Sequence, residues 1–91
     1  MRNVKVKNMQ SSKGNDIANQ FEIFTEKGKY FQSYDSVIAF RPFDGPIQLD
    51  INKWDYSRTT GKYRNLFLRE TKAETEQKIK NGTYKLVDLN S

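Results

Sequence analysis

The residue types best suited to binding an anion lie in one short stretch, from residue 53 to residue 69. It contains five basic residues and one acid, Asp55, so its net charge is +4. Hydroxyl side chains and aromatic rings are interleaved with these cations. Cations neutralise phosphates, hydroxyls donate to phosphate oxygens and aromatic faces stack on bases. The stretch therefore admits nucleic-acid binding, and its candidate binding residues are Lys53, Tyr56, Ser57, Arg58, Thr59, Thr60, Lys62, Tyr63 and Arg64.

The same side chains also have structural interpretations. In a small domain that is short of aliphatic residues, aromatic rings are needed in the core, and we predict that Trp54 and Phe67 lie there. Tyr56 and Tyr63 fit a stacking surface and a core equally well. Ser57, Thr59 or Thr60 would serve as the N-cap of a helix.

A second group of candidate cations lies near the N-terminus. Lys5 and Lys7 alternate with Val4 and Val6, a pattern typical of a short edge strand or an ordered arm. Both lysines are candidates for phosphate contacts. We predict that residues 1–18 form a partly mobile N-terminal arm.

Composition limits the classes of protein that remain. The chain has 91 residues, which makes residues 1–91 one domain, and its net charge of +5 attracts polyanions. It has neither Cys nor His, which excludes disulfides, cysteine nucleophiles and a Ser-His-Asp triad. Asp44, Asp50 and Asp55 could be imagined as a magnesium site, but their places in turns and at element ends explain them locally. We therefore predict a protein that is not an enzyme, has no cofactor and does not enter a membrane.

The elements that must position these residues are those of a small α+β domain. Alternation and turn residues predict three antiparallel strands in a β-meander, around residues 21–25, 30–40 and 47–51, the second of which continues through a bulge or kink at 34–36. Tyr63, Leu66, Phe67 and Glu70 have helical spacing, and Thr71 with Glu74 forms a capping box for a second helix. A closing strand at 83–87 is predicted to add to the sheet. The expected core is Phe21, Ile23, Phe31, Val37, Ala39, Ile47, Leu49, Trp54, Leu66, Phe67, Ile79, Tyr84 and Leu86.

Two segments carry a resemblance to a known group of proteins. Residues 30–34 (Tyr-Phe-Gln-Ser-Tyr) and 54–60 (Trp-Asp-Tyr-Ser-Arg-Thr-Thr), followed by Phe67 and Leu68, resemble a family of short uncharacterised proteins encoded by tailed bacteriophages. The resemblance covers most of the chain after Asn19. It implies a phage protein made in the cytoplasm of a bacterial host, and it supplies no catalytic residues.

Two functions from different classes remain open. The first is a small basic accessory protein that binds nucleic acid without catalysis. The alternative is a protein-binding inhibitor of a host or anti-phage defence protein. Exposed Tyr and Arg side chains, which are enriched at interface hot spots, would favour the alternative.

Overall fold

Residues 4–91, which the computed structural model describes, form one six-stranded sheet and two helices. The bounds in chain order are β1 (Lys5–Gln10), β2 (Asp16–Thr25), β3 (Gly28–Ser33), β4 (Ser36–Pro42), β5 (Gln48–Asp50), α1 (Arg58–Leu68), α2 (Lys72–Lys80) and β6 (Lys85–Val87). The strands lie in the sheet in the order in which they occur in the chain. β1 to β5 pair antiparallel, and β6 joins β5 in parallel. The predicted α+β class, the meander and the added C-terminal strand are confirmed.

The predicted bulge at residues 34–36 is instead a tight hairpin turn between β3 and β4. Tyr34 has a φ of 57°, in the left-handed region, and its backbone N–H donates to Asn19 O at 2.7 Å. A non-glycine residue adopts this conformation infrequently, and no glycine marked the turn in the sequence. For this reason the sequence predicts one kinked strand. In the structure the chain reverses direction there and forms two strands, β3 and β4.

The N-terminal residues also differ from the expectation of a partly mobile arm. β1 pairs with β2 from Lys5↔Phe24 to Gln10↔Asp16, with an irregularity between Asn8 and Gln10. Residues 5–10 and 16–18 are therefore integral to the sheet, and the interpretation of Val4 to Lys7 as an edge strand is the correct one. Residues 1–3 of the expected arm lie outside the described residues.

The two faces of the sheet differ, because residues directly opposite each other on paired strands point to the same side. On the helix face, the Phe67 ring of α1 stacks on Phe31 with ring centroids 5.7 Å apart. Arg41 Nη2 also donates to Phe67 O at 3.1 Å. The opposite side, which we call the open face, carries neither helix.

The core lies between the helix face and the two helices. Its buried members are Met9, Phe31, Ile38, Ala39, Leu49, Phe67, Leu68 and Tyr84, with Ile17, Ile47, Trp54, Tyr63 and Ile79 packed against them. Five predicted core residues are wrong. Leu66 is 55% exposed and Leu86 is 37% exposed. Phe21, Ile23 and Val37 are half-buried on the open face, and none of them belongs to the core cluster. Leu86 lies on the edge strand β6. Leu66 lies on the outer face of α1, because the buried stripe of that helix is formed by Thr60, Gly61, Arg64, Phe67 and Leu68.

Both helices begin with the caps that their sequences indicate. Ser57 caps α1 by accepting a hydrogen bond from Thr60 N at 3.1 Å. Thr71 and Glu74 form the predicted capping box of α2. Since a cap satisfies backbone N–H groups that lack a helical partner, these two residues fix where each helix starts.

Candidate anion-binding groove

A groove of about 650 Å³ lies along the outer side of α1 and reaches the first residue of α2. We call it the α1 groove. Its lining residues are Asp55, Ser57, Arg58, Gly61, Lys62, Arg64, Asn65, Leu66 and Lys72. The formal charges of this set are four positive and one negative, so the groove has a net charge of +3.

Arg58 and Lys62 supply the accessible charge of the groove. They are four residues apart on α1, which places them one above the other on the same side of the helix. Both are exposed, and neither makes an ion pair within residues 4–91. Two cations of this kind repel each other mildly and gain from any anion that enters between them.

A three-residue ion cluster forms the inner wall. Asp55 Oδ1 accepts from Arg64 Nη1 at 3.0 Å, and Asp55 Oδ2 lies 2.7 Å from Lys72 Nζ. Burial raises the pKa of Asp55, but the hydrogen bonds from Lys72 and Arg64 outweigh it and hold the pKa below its usual value of 3.8. The same pairing raises the pKa of Lys72. Asp55 thus stays ionised and fixes Lys72 at the mouth of the groove.

Arg64, predicted as a binding residue, is a structural one. Its side chain is 1% exposed, and its guanidinium donates to Trp54 O at 2.8 Å and to Asn65 Oδ1 at 2.8 Å, besides Asp55. It also lies 5.2 Å from the centre of the Trp54 ring. These partners accept from both Nη1 and Nη2 and stabilise the buried charge, while the buried Nε has no hydrogen-bond acceptor. Arg64 still lines the groove.

The three hydroxyl residues predicted for the site, Ser57, Thr59 and Thr60, have different environments in the structure. Thr60 is buried, with its Oγ1 hydrogen-bonded to Ser33 Oγ at 3.0 Å, so it joins α1 to the sheet and is removed from the candidate site. Ser57 lines the groove, but its Oγ is engaged as the cap of α1. Thr59 is exposed and does not line the groove.

The predicted aromatic contacts are distributed in the same way. Tyr56 is 44% exposed, with Lys53 Nζ 4.9 Å from its ring centre. Tyr63 is half-buried against the core, with Lys62 Nζ 5.3 Å from its ring centre. Of the two tyrosines, Tyr56 therefore presents the more open ring for stacking. Trp54 is half-buried against the core, as predicted.

Lys5 and Lys7 lie apart from the groove but on the same side of the sheet. They are opposite Phe24 and Glu22 in β2, which in turn are opposite Lys29 and Phe31 in β3. Since Phe31 contacts α1, the two lysines belong to the helix face. The exposed cations of β1 and α1 therefore lie on the same side of the sheet.

Five lining residues were not among the predicted binding residues: Asp55, Gly61, Asn65, Leu66 and Lys72. Lys72 follows the capping Thr71 and is the first residue of α2, where its Nζ lies 2.7 Å from Asp55 Oδ2. Leu66 was placed in the core by its spacing to Tyr63. The position of Asp55, the single acid in a cationic stretch, was the available signal that a cation from another element approaches it.

The junction between α1 and α2 is held by a second ion cluster. The Glu70 carboxylate, 4% exposed, accepts from Lys78 Nζ at 2.6 Å and from Thr75 Oγ1 at 2.7 Å. Burial raises the pKa of Glu70, but the hydrogen bonds from Lys78 and Thr75 dominate and lower it. Burial raises the pKa of Tyr84, and the nearby Glu70 raises it further. This cluster ties Glu70, in the connection between the helices, to Thr75 and Lys78 of α2.

Residues 4–91 contain neither a cluster of metal-binding side chains nor a helix that could span a membrane. No three acidic side chains gather in an arrangement that would hold a metal ion. Neither α1 nor α2 has the length and apolar character needed to cross a membrane. Asp50, one of the acids considered for magnesium, is buried and accepts from the backbone N–H groups of Asn52, Lys53 and Leu89.

Fold and groove together define a small basic α+β domain in which Lys5, Lys7 and the cations of the α1 groove lie on the helical side. Residues 4–82 match the model of a family of unknown function, DUF8033, and the chain belongs to that family. No curated protein and no protein of solved structure matches the chain.

Proposed function

We propose that this protein binds nucleic acid without catalysis, through phosphates that contact the α1 groove. One observation carries this function: Arg58 and Lys62 are exposed one helical turn apart, unpaired within residues 4–91, in a groove that Lys72 also lines. Phosphate binding to such a surface releases counterions, and this release supplies most of the affinity of non-specific nucleic-acid binding.

Neighbouring groups extend the contact beyond the groove. Lys53 and the exposed ring of Tyr56 lie just before α1, where a base could stack while the cation meets the backbone. Lys5 and Lys7 add charge on the same side of the sheet. Contacts to about four phosphates would give a log–log salt slope of about −3 to −4.

The test is a mobility-shift or anisotropy titration against single- and double-stranded DNA and RNA across a salt series. We expect Arg58→Ala with Lys62→Ala to weaken binding to every sequence and to flatten the salt slope by about 1.5–2. The melting temperature should hardly change, because exposed charges away from buried partners alter stability by no more than about 0.5 kcal/mol.

The matched control is Lys13→Ala with Lys80→Ala. It removes the same two charges from exposed positions outside the groove, so it lowers the net charge equally. If both double variants weaken binding to the same extent, the groove has no special role and overall charge alone draws the polyanion. If the unmodified protein gives no shift at about 50 mM salt, the function itself is wrong.

The resemblance to short phage proteins provides the setting for this function. We propose that the protein acts in the cytoplasm of a bacterial host as a phage accessory protein. The absence of Cys and His from the sequence supports a binding role over a catalytic one, because the Ser–His and Cys–His nucleophile–base pairs each need at least one of these residues.

A protein-binding inhibitor is the second candidate function. The adjacent and exposed side chains of Tyr56 and Arg58 favour it, since Tyr and Arg are enriched at interface hot spots. Affinity purification from infected cells, with and without nuclease, separates the two functions. A stoichiometric protein partner that survives nuclease treatment and is lost in Tyr56→Ala would favour the inhibitor.

A further inference from the structure

The open face of the sheet is apolar and aromatic. One row of mutually opposite residues runs Val6, Ile23, Tyr30, Phe40 and Gln48, and the next runs Asn8, Phe21, Gln32 and Val37. The rings of Tyr30 and Phe40 stack with centroids 4.2 Å apart. At one edge Val6 is 60% exposed, and beyond β4 Phe43 is 78% exposed.

None of these two rows' nine side chains carries a charge. Among the charged residues of the paired parts of β1 to β4, Lys5, Lys7, Glu22, Lys29 and Arg41 lie on the helix face, whereas Asp16 pairs with Gln10 at the far end of β1 and β2. On β5, Asp50 is on the same side as Gln48 but is buried. On β6, Lys85 lies opposite Gln48 and extends the first row with one exposed cation. The solvated face of an antiparallel sheet is normally its polar face. Here most of the strand charges lie beside the helices, and the two rows that β1 to β5 contribute to the helix-free face are neutral, which is the distribution expected if this part of the face is covered.

We propose that the open face is the interface of a homodimer in which two copies of the chain pack sheet against sheet. The distribution of charge indicates that the molecule packed against the open face is a second copy of the chain. A chain of net charge +5 repels its own copy over most of its surface, and a neutral face removes that penalty where the copies meet. An anionic partner would gain nothing from an uncharged face, whereas the helix face offers it several cations.

The edges of the sheet do not offer an equivalent route to self-association. β1 carries Lys5 and Lys7 and has an irregular register, and β6 has three residues. Edge lysines, irregularity and short length are the features that prevent edge-to-edge pairing of sheets. The face therefore remains as the surface through which two copies of residues 4–91 can meet.

The size of the face sets the expected strength. Five strands about 4.8 Å apart and about 20 Å long give roughly 450–500 Å² per copy, or roughly 900–1,000 Å² in total. This lies below the range of about 1,200–2,000 Å² found for stable complexes. We therefore expect a weak dimer whose dissociation constant is in the micromolar range.

Sedimentation over a range of about 5–500 μM protein, free of nucleic acid, tests the dimer. The average mass should rise from 10.7 kDa towards twice that value as concentration increases. Higher salt should leave the association unchanged or strengthen it, because salt screens repulsion between two positive chains. This response is opposite to that of nucleic-acid binding, so the two activities can fail independently.

Two variants place a charge on the open face at little cost to folding. Val6→Glu changes an exposed edge residue. Gln32→Lys changes a polar residue in the middle of the face whose Nε2 donates to Tyr34 O at 2.8 Å, a hydrogen bond that the lysine ammonium can also donate. Both should shift the midpoint of dimerisation at least 10-fold, although one lowers and the other raises the net charge. The matched control Leu66→Glu adds a charge at a residue of similar exposure on the helical side and should dimerise normally.

A mass that stays at 10.7 kDa up to 500 μM would overturn the homodimer. A dimer that survives Val6→Glu and Gln32→Lys but is lost in Leu66→Glu would overturn the assignment to the open face. Circular dichroism of each variant establishes that it is folded, so that loss of the dimer is not loss of the fold.

Discussion

Arg64 shows how a single side chain can be cationic and yet unavailable to a partner. Its guanidinium satisfies three acceptors, Trp54 O, Asp55 Oδ1 and Asn65 Oδ1, from a position that is 1% exposed. The planar group can hold acceptors in several directions at once, which an ammonium cannot do. Arg64 therefore connects the loop before α1 to the helix itself.

We expect Arg64→Ala to lower the free energy of unfolding by about 2–4 kcal/mol, because it removes buried packing and leaves Trp54 O without its donor. Arg64→Lys should recover only part of this loss. Urea unfolding measures both, with Lys62→Ala, an exposed neighbour on the same helix, as the control. An Arg64→Ala protein that unfolds normally but no longer binds nucleic acid would restore the sequence-based prediction that Arg64 is a binding residue.

At the scale of the element, α1 combines a buried stripe and a binding stripe on one short helix. Thr60, Arg64 and Phe67 face the sheet, while Arg58, Lys62 and Leu66 face the groove. Gly61 belongs to the buried stripe and also lines the groove. A methyl group built on it would meet Arg64 and Asp55 atoms at 3.6–3.7 Å, which is ordinary contact, so no close approach requires a glycine here.

We expect Gly61→Ala to stabilise the protein by about 0.5–1 kcal/mol, because alanine restricts the unfolded chain and favours helix. The control is Gly14→Ala, where space is open but φ is +82°, and which should destabilise by about 1 kcal/mol. Thermal unfolding of both variants checks the pair. A destabilised Gly61→Ala would mean that the Arg64–Asp55 pair needs the space that a methyl group would occupy.

At the scale of the whole molecule, patterns within a few residues of sequence predicted most helices and strands, but they did not predict the contacts between residues far apart in the chain. The capping box at Thr71 and the alternation of Val4 to Lys7 are read within a few residues, and both were interpreted correctly. Leu66 was placed in the core because its spacing to Tyr63 suggested a buried stripe displaced from the real one. That displacement depends on Arg64 finding acceptors in another segment, which no local pattern encodes.

The candidate site was predicted in the same partial way. Arg58 and Lys62 were recognised by type and spacing, and the structure brings them into one groove. Lys72 was not recognised, because its approach to Asp55 depends on the turn between the two helices. Thr60 was included wrongly, since its partner Ser33 lies 27 residues away.

The contacts of the C-terminal tail indicate the order in which parts of the molecule form and open. Asn90 accepts from Val37 N at 2.7 Å and donates to Val37 O at 2.9 Å, across 53 residues of chain. Neighbouring strands from β1 to β5 are joined by short connections and can pair early, whereas this contact closes a long loop and should form late.

The tail should therefore also open first, exposing Val37 N–H to solvent while the meander stays intact. Native-state hydrogen exchange should show faster exchange at Val37 than at Phe31, and Asn90→Ala should accelerate the former alone. Equal protection at both amides, changing together in the variant, would show that the domain opens as one cooperative unit. If the tail opens independently, the native protein exchanges between two states. In one, Asn90 is bonded to Val37 of β4; in the other, the tail is detached from β4, and the sheet is the same in both.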